Sequence, residues 1–212
     1  MKAVVPMPRS NSILLIFLGL MLALWGCSEA PEPAAKQEEA PPVPVEGQTA
    51  FFRMFVAARG WAPDALGLRM DSVAIPEVAA QGAKYPVWRA RFVSPSKGRV
   101  AVFNYSVIEL GGKLQKGVFQ DHEESYSPGR AKPWPSPALK ISTEKALDVA
   151  RAQPQAKAYV KKNPDEPVIF VLEQTNRHAN LTWRVVWGER VSTSELSVFV
   201  DASTGEFVEV MH

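Results

Sequence analysis

The fold is decided by the stretch from Leu181 to Val210, which reads LTWRVVWGERVSTSELSVFVDASTGEFVEV. Apolar and polar residues alternate over 181–187 and again over 196–201, which is typical of β-strands that bury one face. Residues 202–205 predict a turn, because Gly205 can take a positive φ, and residues 206–210 predict a returning strand. The stretch therefore predicts an antiparallel meander.

Upstream of this meander, the sequence predicts one more strand and a helix. Residues 168–174 form an apolar, β-branched run that is typical of a buried strand. Ser142 is a good N-cap, and Leu147 and Ala150 follow it at helical spacing. Pro154 should interrupt this helix, and residues 163–165 should end it. A helix followed by a meander predicts an α+β layer.

The first half of the chain repeats this plan weakly. Residues 88–92 (WRARF) match 183–187 (WRVVW), and 101–107 parallel 196–200. Helices are expected over 51–59 and 63–68, and the strand over 168–174 is expected to have no counterpart. We therefore predict two related helix-plus-meander units that pack as one body.

The second half resembles a PepSY domain. The resemblance rests on 141–147 (ISTEKAL), on 183–185 (WRV) and on 198–206 (VFVDASTGE), and it covers about 70 residues. It implies a module without catalytic residues, of the kind found in protease propeptides and in bacterial envelope proteins, where it inhibits or chaperones a protease or binds another partner. The Pro154 break and the long loop over 188–195 depart from the family pattern.

The N-terminal segment has the features of a secretory signal peptide. Two cations precede residues 13–26, an uncharged run that is too short for a membrane-spanning helix. The run ends in 24–27 (LWGC), which resembles the lipobox of bacterial lipoproteins and implies acylation of Cys27. The alternative is an ordinary signal peptide followed by an incidental cysteine. Cys27 is the only cysteine in the chain, and this favours acylation.

Acylation predicts a location. Two or more acyl chains, palmitate among them, hold a protein firmly on a bilayer. Ser28, where inner-membrane retention would place Asp, resembles the signal for the inner leaflet of the outer membrane, with the body facing the periplasm. The Pro- and Glu-rich residues that follow cannot build a core and are predicted to form an extended tether.

The sequence therefore divides into five predicted segments. They are a lipoprotein signal peptide at 1–26, the acylated Cys27 with its tether at 27–47, a first divergent unit at 48–130, a Pro-rich linker at 131–140 and a PepSY-like unit at 141–212.

Composition argues against a nucleic-acid binder. Removing Lys2 and Arg9 with the signal peptide from 24 basic residues leaves 22 against 22 acidic residues. The tether carries five glutamates and one lysine, so the body keeps an excess of about four positive charges. A nucleic-acid-binding protein would concentrate more Lys and Arg on one face.

Catalytic and metal sites are not predicted. Residues 121–124 (DHEE) are the densest group of potential ligands, but neighbouring residues do not share a face, and we interpret them as a solvated acidic loop rather than a metal site. His178 is expected to be exposed in a polar connection, and His212 is the terminal residue. Without a G-x-S-x-G motif no triad can be assembled. We expect no enzyme, no metal and no cofactor.

Most of the tryptophans in the body are expected to lie in the hydrophobic core. Trp88, Trp183 and Trp187 alternate with polar residues and are expected in the core, with ligand stacking as the alternative. Trp134 lies between prolines in the predicted linker, where an exposed indole could anchor a partner. The leading hypothesis is thus a membrane-anchored binding or regulatory module with an envelope protein as partner, a protease among the candidates. The alternative is a structural lipoprotein that supports the outer membrane.

Overall fold

The computed structural model describes residues 40–212. The predicted signal peptide, Cys27 and the tether up to residue 39 lie outside the described residues. Within the described part, three α-helices accompany one large antiparallel sheet, and this confirms the predicted α+β class. None of these helices combines the length and hydrophobicity that crossing a bilayer requires.

The first half contains one helix and six strands. A short strand and a helix open it, and a meander with one small side strand follows. Their bounds are β1 (Val45–Glu46), α1 (Gly47–Trp61), β2 (Leu66–Val73), β3 (Lys84–Tyr85), β4 (Val87–Ser94), β5 (Arg99–Ser106) and β6 (Gly117–Ser125).

The second half contains two helices and five strands. It opens with a short strand and a 3₁₀ turn at Ser136–Ala138. The short strand is β7 (Ala131–Lys132), and the longer elements are α2 (Thr143–Ala152), α3 (Pro154–Lys162), β8 (Val168–Thr175), β9 (Thr182–Trp187), β10 (Leu196–Asp201) and β11 (Phe207–Met211).

The two halves repeat one plan more closely than the sequence predicted. In each half a helical segment precedes a four-stranded antiparallel meander, formed by β2, β4, β5 and β6 in the first half and by β8 to β11 in the second. The expected helix at 63–68 is wrong, because Leu66 opens strand β2. Strand β2 corresponds to β8. The prediction that the strand over 168–174 has no counterpart in the first half is therefore wrong.

The two meanders join into one sheet through β2 and β8. The strand order is β11-β10-β9-β8-β2-β4-β5-β6, and β2 pairs with β8 over only three residues, with Met70 opposite Leu172. Beyond this pairing, β7 hydrogen-bonds β8, and Trp134 forms a bridge with Gly67 of β2. The segment at 131–140, predicted as a linker, thus takes part in the sheet at its centre.

All three helices pack on one face of this sheet. Helix α1 contacts β4 and β5, whereas α2 and α3 contact strands of the second meander. The main core lies in between and contains Trp88, Trp183 and Trp187, as expected. In an antiparallel pair, opposite residues point to the same face and neighbours along a strand alternate. The other side chains of these strands therefore point to a face that the helices leave uncovered.

The start of α1 connects both halves. Gly47, placed at the end of the predicted tether, is buried, and a Cβ on it would lie 2.8 Å from Trp183 and 2.9 Å from Trp88. The Gly47 amide donates to the Thr143 hydroxyl, which in turn donates to the Ala83 carbonyl. Among the described residues, the first strand thus begins at Val45, within the last residues of the segment predicted as tether.

The predicted helix boundaries of the second half are confirmed. The Ser142 hydroxyl accepts from the Lys145 amide and caps α2, as expected of an N-cap serine. Gln153 and Pro154 separate α2 from α3, because proline has no amide hydrogen to continue the first helix.

Candidate binding surface on the uncovered face of the sheet

The uncovered face carries a row of arginines. We call it the arginine face and define it by the six residues Arg69, Arg89, Arg91, Arg130, Arg177 and Arg184. Three of these six form ion pairs: Arg69, Arg91 and Arg177. The other three, Arg89, Arg130 and Arg184, have no carboxylate within 4 Å among residues 40–212.

Arg69 stands where the two halves meet. Its guanidinium binds both oxygens of Asp71 and donates to Glu173 Oε2 at 2.8 Å across the β2–β8 pair. Burial disfavours the charged guanidinium, but the hydrogen bonds and negative charges of Asp71 and Glu173 outweigh burial and raise the pKa of Arg69. This arginine is therefore neutralised locally and serves to join the two meanders.

Arg184 is in a different situation. It is buried in β9, its Nε donates to the Ser197 hydroxyl, and its guanidinium lies over the Phe199 ring at 5.3 Å. Burial lowers the pKa of Arg184, and repulsion from Arg130, Arg69 and Arg177 lowers it further against the attraction of Glu173. A buried cation that lies among other cations is stabilised when a negative charge binds nearby.

A cleft of about 330 Å³ opens on the arginine face between the strands and the segment that follows β6. Arg91 and Arg130 contribute its cations, and Arg91 also pairs with Glu124. The Arg91 Nε is buried and has no acceptor in the described part of the chain. The whole lining is Leu68, Arg91, Val100, Glu124, Ser125, Tyr126, Ser127, Gly129, Arg130 and Ala131. Within this cleft, the Arg130 guanidinium, which has no carboxylate within 4 Å among the described residues, can bind a carboxylate.

His178 lies at the other end of this face. It was predicted to be exposed, but it is buried: its ring packs on Phe199 with centroids 4.4 Å apart, and its Nε2 lies 2.7 Å from Glu209 Oε1. Arg177 also binds Glu209, and this hydrogen bond is the main cause that lowers the pKa of Glu209. The expectation failed because the loop over 176–180 folds back onto the sheet.

The acidic run at 121–124 is part of the edge strand β6, so the predicted loop is wrong, although Asp121, His122 and Glu123 are exposed as expected. Glu123 Oε1 accepts from the Trp61 indole at 2.8 Å and from the Gln120 amide. Between residues 40 and 212, no three or more His, Cys, Asp or Glu side chains are placed so that they could hold one metal ion. Charged side chains on an edge strand also oppose pairing with other chains.

Trp134 is not an exposed anchor. Its side chain is fully buried under α1, and its ring stacks on Phe51 with centroids 4.9 Å apart. The nearest atoms of this ring lie within 2.7 Å of where a Cβ on Gly67 would stand, so the absence of a side chain on Gly67 makes room for it. The prolines around Trp134 therefore position a core residue rather than a binding residue.

Comparisons with known proteins add little. No family model matches the chain, and no curated protein matches it. Among solved structures, the chain is similar to the crystal structure of a "putative lipoprotein" from Clostridium difficile 630, with a TM-score of 0.46 and 11% identity over 82% of this chain and 95% of that one. At this score and identity, the likeness carries no conclusion about function.

The arginine face was not predicted from the sequence, although a signal for it exists. Arg89, Arg91 and Arg184 alternate with apolar core residues in the two matching strands, which places these arginines on the opposite face. The pattern could not show that both strands belong to one sheet, nor that helices cover only its other side.

Proposed function

We propose that this protein is a lipid-anchored module of the bacterial envelope whose body binds an acidic segment of a protein partner on the arginine face. The observation that carries the proposal is the pair of exposed guanidinium groups without a carboxylate partner, Arg89 and Arg130, together with the buried charge of Arg184, on a face that no described helix covers. Arginine binds carboxylates through two parallel hydrogen bonds, so the face suits acidic side chains better than neutral ones.

The anchor is supported by the sequence at 24–27. Acylation of Cys27 would retain the body at the membrane, and Ser28 favours the outer membrane, facing the periplasm. Mass spectrometry of the mature chain tests this part of the proposal. We expect the signal peptide to be absent and residue 27 to carry acyl chains; an unmodified cysteine would contradict the anchor.

A non-enzymatic role is supported by the chemistry on this face. Arginine and glutamate offer ion pairing, and the PepSY resemblance of 141–212 implies a binding module for a protease or another envelope protein. The proposed role is therefore to hold a partner near the membrane or to restrain its activity.

A site-specific crosslinking experiment tests the binding surface. A photoreactive residue is placed at Ser127, an exposed residue that lines the cleft on the arginine face, and, as a control, at Lys157 on the exposed side of α3. In intact envelopes we expect one discrete adduct from position 127, none from position 157, and loss of the adduct in the variant Arg130→Glu. Equal adducts from both positions would contradict the proposal. No adduct at all, with detergent sensitivity on deletion, would favour the structural alternative.

A further inference from the structure

Helix α1 has an apolar outer face that the fold does not use. Phe52 and Val56 lie one helical turn apart, and 40% and 74% of their respective surfaces are exposed. Val43, which precedes the helix, is 65% exposed. These three are most of the strongly exposed large apolar residues between 40 and 212; the remaining two, Phe207 and Val208, lie on the edge strand β11.

The charged residues within helix α1 have one sign. Between Gly47 and Trp61 the helix contains Arg53 and Arg59, both exposed, and no Asp or Glu. The Arg59 guanidinium lies 6.0 Å from the Phe55 ring centre, and Arg53 donates to the Tyr105 hydroxyl. A helix with exposed Phe and Val and with cations at its flanks has the composition of a segment that lies in the interface of an anionic bilayer.

The second half of the chain provides an internal comparison. Its helices α2 and α3 occupy the corresponding place on the sheet, but their exposed residues are charged or small, among them Glu144, Lys145, Asp148 and Lys157. No large hydrophobic side chain of α2 or α3 is strongly exposed. The shared fold therefore does not require an apolar outer face on its helices.

The position of α1 in the chain points to the occupant. The tether was predicted over residues 27–47, but β1 begins at Val45, so residues 28–44 separate Cys27 from β1, and α1 follows directly. Seventeen extended residues span at most about 50 Å, at roughly 3 Å per residue, so the body stays at high local concentration near the bilayer. Under those conditions a small apolar face is sufficient to hold the helix against the bilayer. Two large side chains bury much less than the roughly 800 Å² per partner that a stable dimer buries.

We infer that the outer face of α1, formed by Phe52, Arg53, Val56 and Arg59, rests on the headgroup region of an anionic phospholipid bilayer and orients the anchored body. The inference rests on the proposed lipid anchor. Because α1 and the arginine face lie on opposite sides of the sheet, this orientation turns the arginine face away from the membrane, toward the partner.

Fluorescence quenching tests this inference. The acylated mature chain is inserted into phosphatidylethanolamine–phosphatidylglycerol vesicles whose acyl chains are brominated. The variant Val56→Cys has a single free thiol for an environment-sensitive fluorophore, because Cys27 is acylated; Lys145→Cys on α2 is the matched control. We expect bromine to quench the label at position 56 at least several-fold more than the label at position 145. Adding Phe52→Ser should reduce this quenching, and phosphatidylcholine vesicles should reduce it as well.

Flotation of the same vesicles distinguishes a failure of the proposed lipid anchor from a failure of the inference about α1. A chain that does not float with the vesicles overturns both the anchor and the inference. A chain that floats while the label at position 56 remains as water-exposed as the label at position 145 overturns the inference alone. A shift at position 56 that depends on protein concentration, and not on bromine, identifies a second copy as the occupant and also overturns it.

Discussion

Gly47 shows how one residue can fix the position of a helix. The α1 backbone passes so close to Trp88 and Trp183 that any side chain on Gly47 would meet both rings and the Thr143 methyl group. Those tryptophans belong to the two halves of the chain, and Thr143 opens α2. The missing side chain therefore permits the contact by which α1 touches both units.

The first prediction is that Gly47→Ala destabilises the protein. Overpacking of a rigid core costs about 1–3 kcal/mol, and large aromatic rings cannot move aside easily. Urea denaturation of both proteins measures the loss. Gly60→Ala in the same helix is the control, because its Cβ would meet nothing within 4 Å; alanine there should be neutral or stabilising by up to about 1 kcal/mol. Equal effects at both positions would show that crowding at Gly47 is not the cause.

Asp64 connects two turns, the one that follows α1 and the one between β4 and β5. Its carboxylate accepts from the Ser94 hydroxyl at 2.6 Å and from the Ser96 amide at 2.7 Å. These hydrogen bonds hold the pKa of Asp64 at about 2, below its ordinary value of 3.8. The charged form is therefore the one that ties the two turns together.

The second prediction concerns pH. A carboxyl group with a lowered folded-state pKa stabilises the protein fully above its unfolded-state pKa, and this contribution is lost as the pH falls through the folded-state pKa. The difference in unfolding free energy between wild type and Asp64→Asn should be largest above pH 3.8 and should shrink as the pH approaches 2. Denaturation at a series of pH values measures it. Glu77→Gln, at an exposed acid without a hydrogen bond in the described chain, is the control, and a difference that did not depend on pH would contradict the prediction.

At the scale of the whole molecule, the two halves share one sheet and one core. Strands β2 and β8 join the meanders, Arg69 bridges Asp71 and Glu173 across that junction, and Trp134 fills the space beside it. Neither half could separate without exposing large aromatic side chains at the junction.

The third prediction is therefore a single cooperative unfolding transition. Tryptophan fluorescence, which reports buried rings in both halves, and far-UV circular dichroism should give the same midpoint in urea. Two resolved transitions would show that the halves fold independently. The variant Trp134→Ala should lower that common midpoint, since removing a buried tryptophan costs about 3–5 kcal/mol.

The sequence by itself determined those features that depend on local pattern. The alternation over 182–187 and 196–201, the Ser142 cap, the Pro154 break and the turn at Gly205 were all found as predicted. Each depends on the geometry of a few consecutive residues, namely the period of a strand, a side chain that reaches a free amide, or a backbone angle that glycine tolerates.

Only the tertiary structure decided what depends on distant neighbours. Residues 66–68 begin a strand because β4 pairs with this segment on one side and Trp134 forms a bridge with Gly67 on the other. His178 and Trp134 are buried because elements distant in sequence pack over them. The alternation in β4 and β9 shows that two faces differ, but helices that lie far away in sequence determine which face remains uncovered. The arginine face could therefore emerge only once both meanders had been assembled into one sheet.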